Sequence, residues 1–282
     1  MFLLSQKVHL LDGGNMKKTK AVIISILAVL ILLCGCYCGY RFIKHEKAQS
    51  QQLQEMRASI SKLSEEVKLL SEEDVEWLDG GYNYLAIGNS ITIHSITSFW
   101  WNEVGMAASD EDHDYYHLVL KYLESKKDNV MGVPYNFSVW ETQSHDRDET
   151  LEYLDHYLSP DLDLITVQLA ENASDLATYQ EDYVSLLEHI KDKAPNARIL
   201  VVGDFWSRDN RDELKQNAVL EAQVEYISLE GITDNKDYYC GLGTSVYDKD
   251  GNEHIVEHSG VANHPGDNGM QAIAERIIEA LK

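Results

Sequence analysis

Apolar and polar residues follow three successive patterns along this chain. From Ala21 to Tyr40 the run is almost unbroken in apolar residues, close to the roughly 20 that a membrane-spanning helix needs. From about Glu46 to Asp74 the chain is rich in Glu, Gln, Lys and Ser. Its apolar residues there, Leu53, Met56, Ile60, Leu63, Val67 and Leu70, stand 3, 4, 3, 4 and 3 apart, which is a heptad seam. Glu65, Glu66 and Lys68 occupy the solvent side. Asp79-Gly80-Gly81 ends this stretch and marks a boundary.

Beyond the glycines, short apolar runs alternate with helical periodicities. The runs predict strands at Tyr84–Ile87, Asn136–Trp140, Asp163–Leu169, Arg198–Val202 and Val224–Ser228. The third is continuously apolar, as expected where both faces are covered. Between them the periodicity predicts a helix capped by Ser109 and running to about Glu124, with Tyr115, Val119 and Tyr122 on one face. A second helix spans Asp148 to Leu158 with Leu151, Leu154 and Leu158 aligned. Further helices span Asp175 to Lys193, start at about Asn210, and close the chain from Gly266 to Leu281. The last carries a stripe of Met270, Ile273, Ala274, Ile277, Ile278 and Leu281. Such alternation argues a parallel sheet with helices on both faces. We expect an α/β fold: a three-layer α/β/α sandwich on a parallel, flavodoxin-like five-stranded sheet over residues 79–282. A transmembrane helix (21–40) and a short coiled-coil stalk (46–78) precede it.

The flanks of the first run bear on location. Lys17, Lys18 and Lys20 precede it, and Arg41, Lys44 and Lys47 follow it, so charge alone does not orient it. An N-terminal lysine cluster before an apolar core without an A-x-A cleavage pattern reads as an uncleaved signal anchor. Residues 1–20 are then cytoplasmic and the domain lies outside the cell membrane. In the alternative, Leu33-Cys34-Gly35-Cys36 is a lipobox and Cys36 carries the lipid. Both export the domain. Asp12-Gly13-Gly14 can be encoded by bases containing GGAGG, a bacterial ribosome-binding sequence, so we expect translation to start at Met16. The stalk is expected to join copies of the chain into a homo-oligomer.

The 282 residues carry a formal net charge of −23, a surface that repels nucleic acid. Three of the four cysteines, Cys34, Cys36 and Cys38, fall inside the apolar run, which leaves Cys240 alone in the folded part. No disulfide framework and no C-x-x-C metal pattern exist there.

Active residues of a parallel α/β sheet stand just past the strand ends. The first strand delivers Gly88-Asn89-Ser90. The third delivers Gln168-Leu169-Ala170-Glu171-Asn172, the fourth Gly203-Asp204-Phe205-Trp206, and the loop before the last helix His264-Pro265-Gly266-Asp267. A serine, a histidine and a side-chain amide are the minimum parts for acyl transfer: nucleophile, base and oxyanion donor.

With these residues in order, the chain resembles the SGNH, or GDSL-like, serine esterases. Gly88-Asn89-Ser90 is similar to the first block, usually Gly-Asp-Ser. Glu171-Asn172 is similar to the third, Gly-x-Asn-Asp, and His264-Pro265 to the fifth, Asp-x-x-His-Pro. The resemblance implies that Ser90 is the nucleophile, His264 the base, and Asn172 an oxyanion donor together with the Ser90 backbone N–H. Three departures matter. Asn89 replaces the common aspartate. The acid of Asp-x-x-His would fall at Val261, so His264 is oriented by a backbone carbonyl or by an acid from elsewhere, with Glu171, Asp204 and Glu257 as candidates. Glu141-Thr142-Gln143 stands where the second block's glycine is expected, and Gly105 is the candidate replacement for that oxyanion N–H.

An insert after Ser90, Phe99 to Met106, contains Trp100-Trp101, and Trp140 and Trp206 sit at neighbouring strand ends. These tryptophans either stack on sugar rings or pack the domain edge. His254-Ile255-Val256-Glu257-His258 matches H-x-x-E-H, but Asp248 to Asn252 reads as a hairpin turn into a strand, and zinc binding by that motif needs a helix. The Asp248-x-Asp250-Gly251 run lacks the twelfth-position glutamate of a calcium loop. No metal or cofactor is expected. The expected function is an extracytoplasmic esterase that removes small acyl groups, most plausibly O-acetyl groups, from a carbohydrate or other small ester. The alternatives are acyl transfer through the same acyl-enzyme, or a catalytically silent glycan-binding or scaffold protein.

Overall fold

The computed structural model describes residue 44 and residues 74–282 except residue 209. The apolar run and the stalk up to residue 73 lie outside the described residues. Among the described residues no helix is long and apolar enough to cross a membrane. The last five residues of the expected stalk, 74–78, are not helical. The Val75 N–H donates to the His156 carbonyl at 2.8 Å, and Trp77 Nε1 to the Tyr157 carbonyl at 3.0 Å. Val75 and Trp77 also pack against the domain core, so the domain's contacts begin ahead of the expected boundary at residue 79.

Five parallel strands form the sheet: β1 (Tyr82–Gly88), β2 (Val130–Asn136), β3 (Leu164–Gln168), β4 (Arg198–Val202) and β5 (Glu225–Ile227). Their order is β2-β1-β3-β4-β5, the flavodoxin-like order. Successive side chains point to opposite faces, and both faces are covered. Leu85, Ile87, Ile165, Val167, Ile199 and Val201 join one core cluster. Tyr84, Ala86, Leu164, Leu200 and Val202 join the other. This double burial is why β1, β3 and β4 read as unbroken apolar runs.

The helices divide between the faces. Helix α1 (Tyr115–Glu124) packs against the terminal helix α6 (Asp267–Leu281), and α3 (Tyr179–Lys193) against α4 (Arg211–Ala222). Two short helices, α2 (Ser138–Thr142) and α5 (Ser259–Ala262), sit in the loops. An antiparallel hairpin of β6 (Ser245–Tyr247) and β7 (Glu253–Ile255) turns at residues 248–252, as expected. It closes a third, smaller core of Trp100, Val104, Met106, Val246, Val256 and Val261.

Four expected elements shift. The second strand is Val130–Asn136, while the residues expected to form it, Asn136–Trp140, mostly form α2. Gly132 and Pro134 break the apolar run, yet a proline is tolerated on an outer strand, where the missing N–H has no partner to serve. Helix α1 is capped by Asp114 rather than Ser109: an Asp114 carboxylate oxygen accepts the His117 N–H at 2.7 Å. The Ser109 N–H instead donates to Asp267 Oδ1 at 2.7 Å. The segment Asp148–Leu154 is a 3₁₀ helix. Helix α3 starts at Tyr179 rather than Asp175.

Candidate active site

The strand order reverses between β1 and β3, and open α/β sheets bind ligands in the crevice at that point. Ser90 follows β1 directly. The turn that presents it is built by its neighbours. A side chain at Gly88 would overlap Thr92 and the Gln168 carbonyl. The Asn89 carbonyl accepts the Thr92 and Ile93 N–H groups at 3.0 and 3.1 Å, and Asn89 Oδ1 accepts the Ile91 N–H at 3.0 Å. Asn89 is fully buried whereas Ser90 is partly exposed. The Met106 N–H donates to the Ser90 carbonyl at 2.7 Å.

His264 arrives from the loop between α5 and α6, which places its Nε2 2.8 Å from Ser90 Oγ. Its Nδ1 lies 2.7 Å from the Gly260 carbonyl oxygen. A carbonyl can only accept, so the hydrogen sits on Nδ1 and the Nε2 lone pair faces the serine hydroxyl. Burial lowers the imidazole pKa to about 4; the Gly260 carbonyl opposes this, and His94 and His258 push the same way as burial. At neutral pH the ring is therefore uncharged, the form a general base requires. None of the candidate acids holds Nδ1. Glu257 is exposed, and Val261, where the resemblance puts an acid, is buried in the small third core.

Asn172 stands after β3 and is exposed. Its side-chain Nδ2 donates to Glu141 Oε2 at 2.6 Å, while Asn89 Nδ2 donates to Glu141 Oε1 at 2.9 Å. One buried carboxylate thus bridges the residue beside Ser90 to the amide after β3. An Asn amide nitrogen carries two hydrogens, so one remains for a ligand.

Solved structures similar to this chain were found at low identity. A protein classed as a GDSL-like lipase from Bacteroides uniformis is 16% identical, with 71% of this chain and 96% of that chain covered at a TM-score of 0.47. A two-domain esterase active on acetylated mannans is 13% identical over 71% of this chain and 48% of that one, at a TM-score of 0.44. Phospholipase A1 from Streptomyces albidoflavus is 11% identical over 71% of this chain and 99% of that one, at 0.43. At such identities and scores the likeness carries no argument. No protein-family model and no curated relative matches the sequence.

The remaining candidates take other places. The Gly105 N–H donates to Asp114 Oδ2 at 3.1 Å, so it is not the oxyanion donor expected of it. Gly105 is a packing position: a Cβ there would meet the Ile91 carbonyl at 2.5 Å. Glu171 and Asp204 do not reach His264; they form a buried quartet with Arg211 and Lys215. Burial, then the nearby Asp204, raises the Glu171 carboxyl well above its ordinary range. Burial works the same way on Asp204, but Lys215 and Arg211 outweigh it and hold that carboxyl low. The quartet braces the loops around the site: Arg211 donates to the Glu171 carbonyl at 2.8 Å and to the Trp206 carbonyl at 2.7 Å.

The tryptophans divide. Trp100 and Trp140 are core residues, 1% and 0% exposed, and offer no face to a sugar. Trp101 stacks on His254, with ring centroids 4.5 Å apart. Trp206 meets the His264 ring edge-on at 5.0 Å and 86°, and its Nε1 donates to the Asn263 carbonyl at 3.0 Å. Trp206 therefore supports the base. His254 lies in β7 and pairs with Asp248 at 3.1 Å, while His258 stacks on Phe99. Glu141 joins the site without any sequence motif to mark it. Nothing in Trp140-Glu141-Thr142 distinguishes it from a surface carboxylate until α2 folds it inward.

Proposed function

We propose that the domain is a serine ester hydrolase of the SGNH, or GDSL-like, class. The observation that carries the proposal is the 2.8 Å contact between Ser90 Oγ and the unprotonated Nε2 of His264, with the Asn172 amide tied through Glu141 to Asn89, the residue before Ser90. In the first half of the reaction, Ser90 Oγ attacks the ester carbonyl carbon while His264 takes its proton. The tetrahedral oxyanion is held by the second Asn172 Nδ2 hydrogen and the Ser90 backbone N–H. Collapse expels the alcohol, which receives the proton from His264, and leaves an acyl group on Ser90. Water, deprotonated by His264, then releases the acid.

The acyl group we assign is small, an acetyl, and the alcohol a carbohydrate. A cleft of about 410 Å³ lined by Lys236, Tyr239, Leu242, Ser259 and Asn263, the residue before His264, is large enough for a sugar-sized alcohol. The net charge of −23 disfavours a polyanionic substrate. The apolar run at residues 21–40 and its preceding lysines support an anchored domain outside the cytoplasm; protease added to intact cells would digest a domain so placed and spare one on the inner side.

The test of the activity is p-nitrophenyl acetate turnover by the full chain beside Ser90→Ala and His264→Ala. Both variants should fall to the background rate. Equal turnover by wild type and Ser90→Ala rules the hydrolase out.

A further inference from the structure

We propose that Glu141 is a positioning residue that aims the Asn172 amide at the nucleophile, in place of the glycine expected in that block. The proposal rests on the hydrolase reading. Glu141 is 1% exposed, and four donors converge on its carboxylate. Oε1 accepts Asn89 Nδ2 at 2.9 Å, the Ala170 N–H at 2.5 Å and the Asn172 N–H at 3.4 Å; Oε2 accepts Asn172 Nδ2 at 2.6 Å. An ionised carboxylate is an acceptor at both oxygens, so all four donors face lone pairs, whereas a neutral amide would set an NH₂ donor against those at one of the two ends.

The backbone around the contact shows why such a tie is needed. Ala170 has φ of +108°, a conformation that costs a non-glycine residue on the order of 1–3 kcal/mol. Its N–H points at Glu141, and its carbonyl accepts the Ala173 N–H at 2.9 Å. Past the bend the Asn172 amide meets the carboxylate that also holds Asn89, the residue before Ser90. Once Oε2 holds one hydrogen of the planar Asn172 amide, the direction of the other is fixed. Asn89, on the same carboxylate, fixes that direction relative to Ser90.

Glu141 is itself held from below. Trp140 is fully buried, its carbonyl accepts Arg147 Nε at 3.3 Å, and the guanidinium lies 5.2 Å from the Trp140 ring centre. Glu141 makes no hydrogen bond to Ser90 or His264 among those of the described residues, so it acts through Asn172 and Asn89.

The experiment is a double-mutant cycle in the full chain with Glu141→Gln and Asn172→Ala, together with ¹H–¹⁵N spectra of side-chain amides. Glu141→Gln should lower kcat for p-nitrophenyl acetate about 10- to 100-fold at unchanged KM, and the double variant should be no slower than Asn172→Ala alone. An additive double variant, or a KM effect alone, overturns the proposal. In the wild-type spectrum the Asn172 pair, identified by its loss in Asn172→Ala, should show one proton downfield and slow to exchange, and Glu141→Gln should abolish that difference. Two equivalent, fast-exchanging protons in wild type overturn the proposal even where Glu141→Gln does not fold. This spectroscopic arm needs no turnover. A wild type that hydrolyses no better than Ser90→Ala therefore sinks the hydrolase reading separately, while the spectrum still decides what Glu141 does to Asn172.

Discussion

His264 directs its Nδ1 hydrogen at the carbonyl of Gly260, 2.7 Å away and four residues back along the chain. A carbonyl sets the tautomer and the ring orientation as a triad carboxylate does. It lacks the full negative charge that would stabilise the imidazolium formed when Ser90 gives up its proton. Base and orienting group also belong to one short segment, so they move together.

The first prediction concerns pH. With the imidazole lowered to about 4, the acid limb of kcat/KM should fall near pH 4 instead of in the ordinary histidine range. The sign for stability follows from the same shift. Between the unfolded value of about 6.5 and the folded value, the unfolded chain binds a proton at His264 that the folded chain refuses. This contribution to stability is complete above that window and is lost as pH falls through it. Urea midpoints across the window should decline more steeply for wild type than for His264→Gln.

The oxyanion donor gives a second prediction. Asn172→Ala should reduce kcat by about 10²–10³, or roughly 3–4 kcal/mol of transition-state stabilisation, and should lower stability by about 1–3 kcal/mol, because the buried Glu141 carboxylate loses a donor. Steady-state kinetics and thermal melts on the same preparation check both halves. An unchanged kcat would remove Asn172 from the reaction.

Restoring the acid of the family pattern should fail. Val261 is 1% exposed and packs with Trp100, so Val261→Asp inserts a carboxylate into an apolar cluster. The expected cost is roughly 2–5 kcal/mol, read as a lower urea midpoint, without any rise in kcat. A faster and equally stable variant would mean that the position can face the His264 ring after all.

The buried quartet supplies a fourth prediction. Lys215 is fully buried and bonds to Asp204 and to the Val202 carbonyl, the latter at 3.1 Å. Lys215→Met leaves two carboxylates against one guanidinium. Breaking a buried ion network from one side costs about 3–5 kcal/mol. Denaturant unfolding should show a loss of that size; a loss under about 1 kcal/mol would put the quartet in the class of weak surface pairs.

What could be read from the sequence follows burial. β1, β3 and β4 are covered on both faces, so their runs are unbroken and their positions legible. α6 announces itself by a stripe of which Met270, Ile273, Ala274 and Ile277 are fully buried. β2 is not legible, because an outer strand tolerates Gly132 and Pro134, residues that punctuate a chain when read locally. The Ser90 and His264 positions follow from strand ends and motif order. The Glu141 contact does not, because it depends on how a five-residue helix turns after β2. Gly105 fails as an oxyanion donor for a reason equally hidden from the sequence: Asp114, the helix cap, claims its N–H. Trp100 and Trp206 look alike in sequence; only packing separates a core anchor from a support for the base.

Pro134 has a further consequence at the level of many molecules. A sheet's margins are where one protein can template another by adding a strand. Here one margin, β2, carries a proline that withholds an amide, and the other, β5, is three residues long. Two such margins offer little for a neighbouring chain to zip onto. Crowded copies of this domain should repel one another through charge and, on contact, find no ready seam along the margins of the five-stranded sheet.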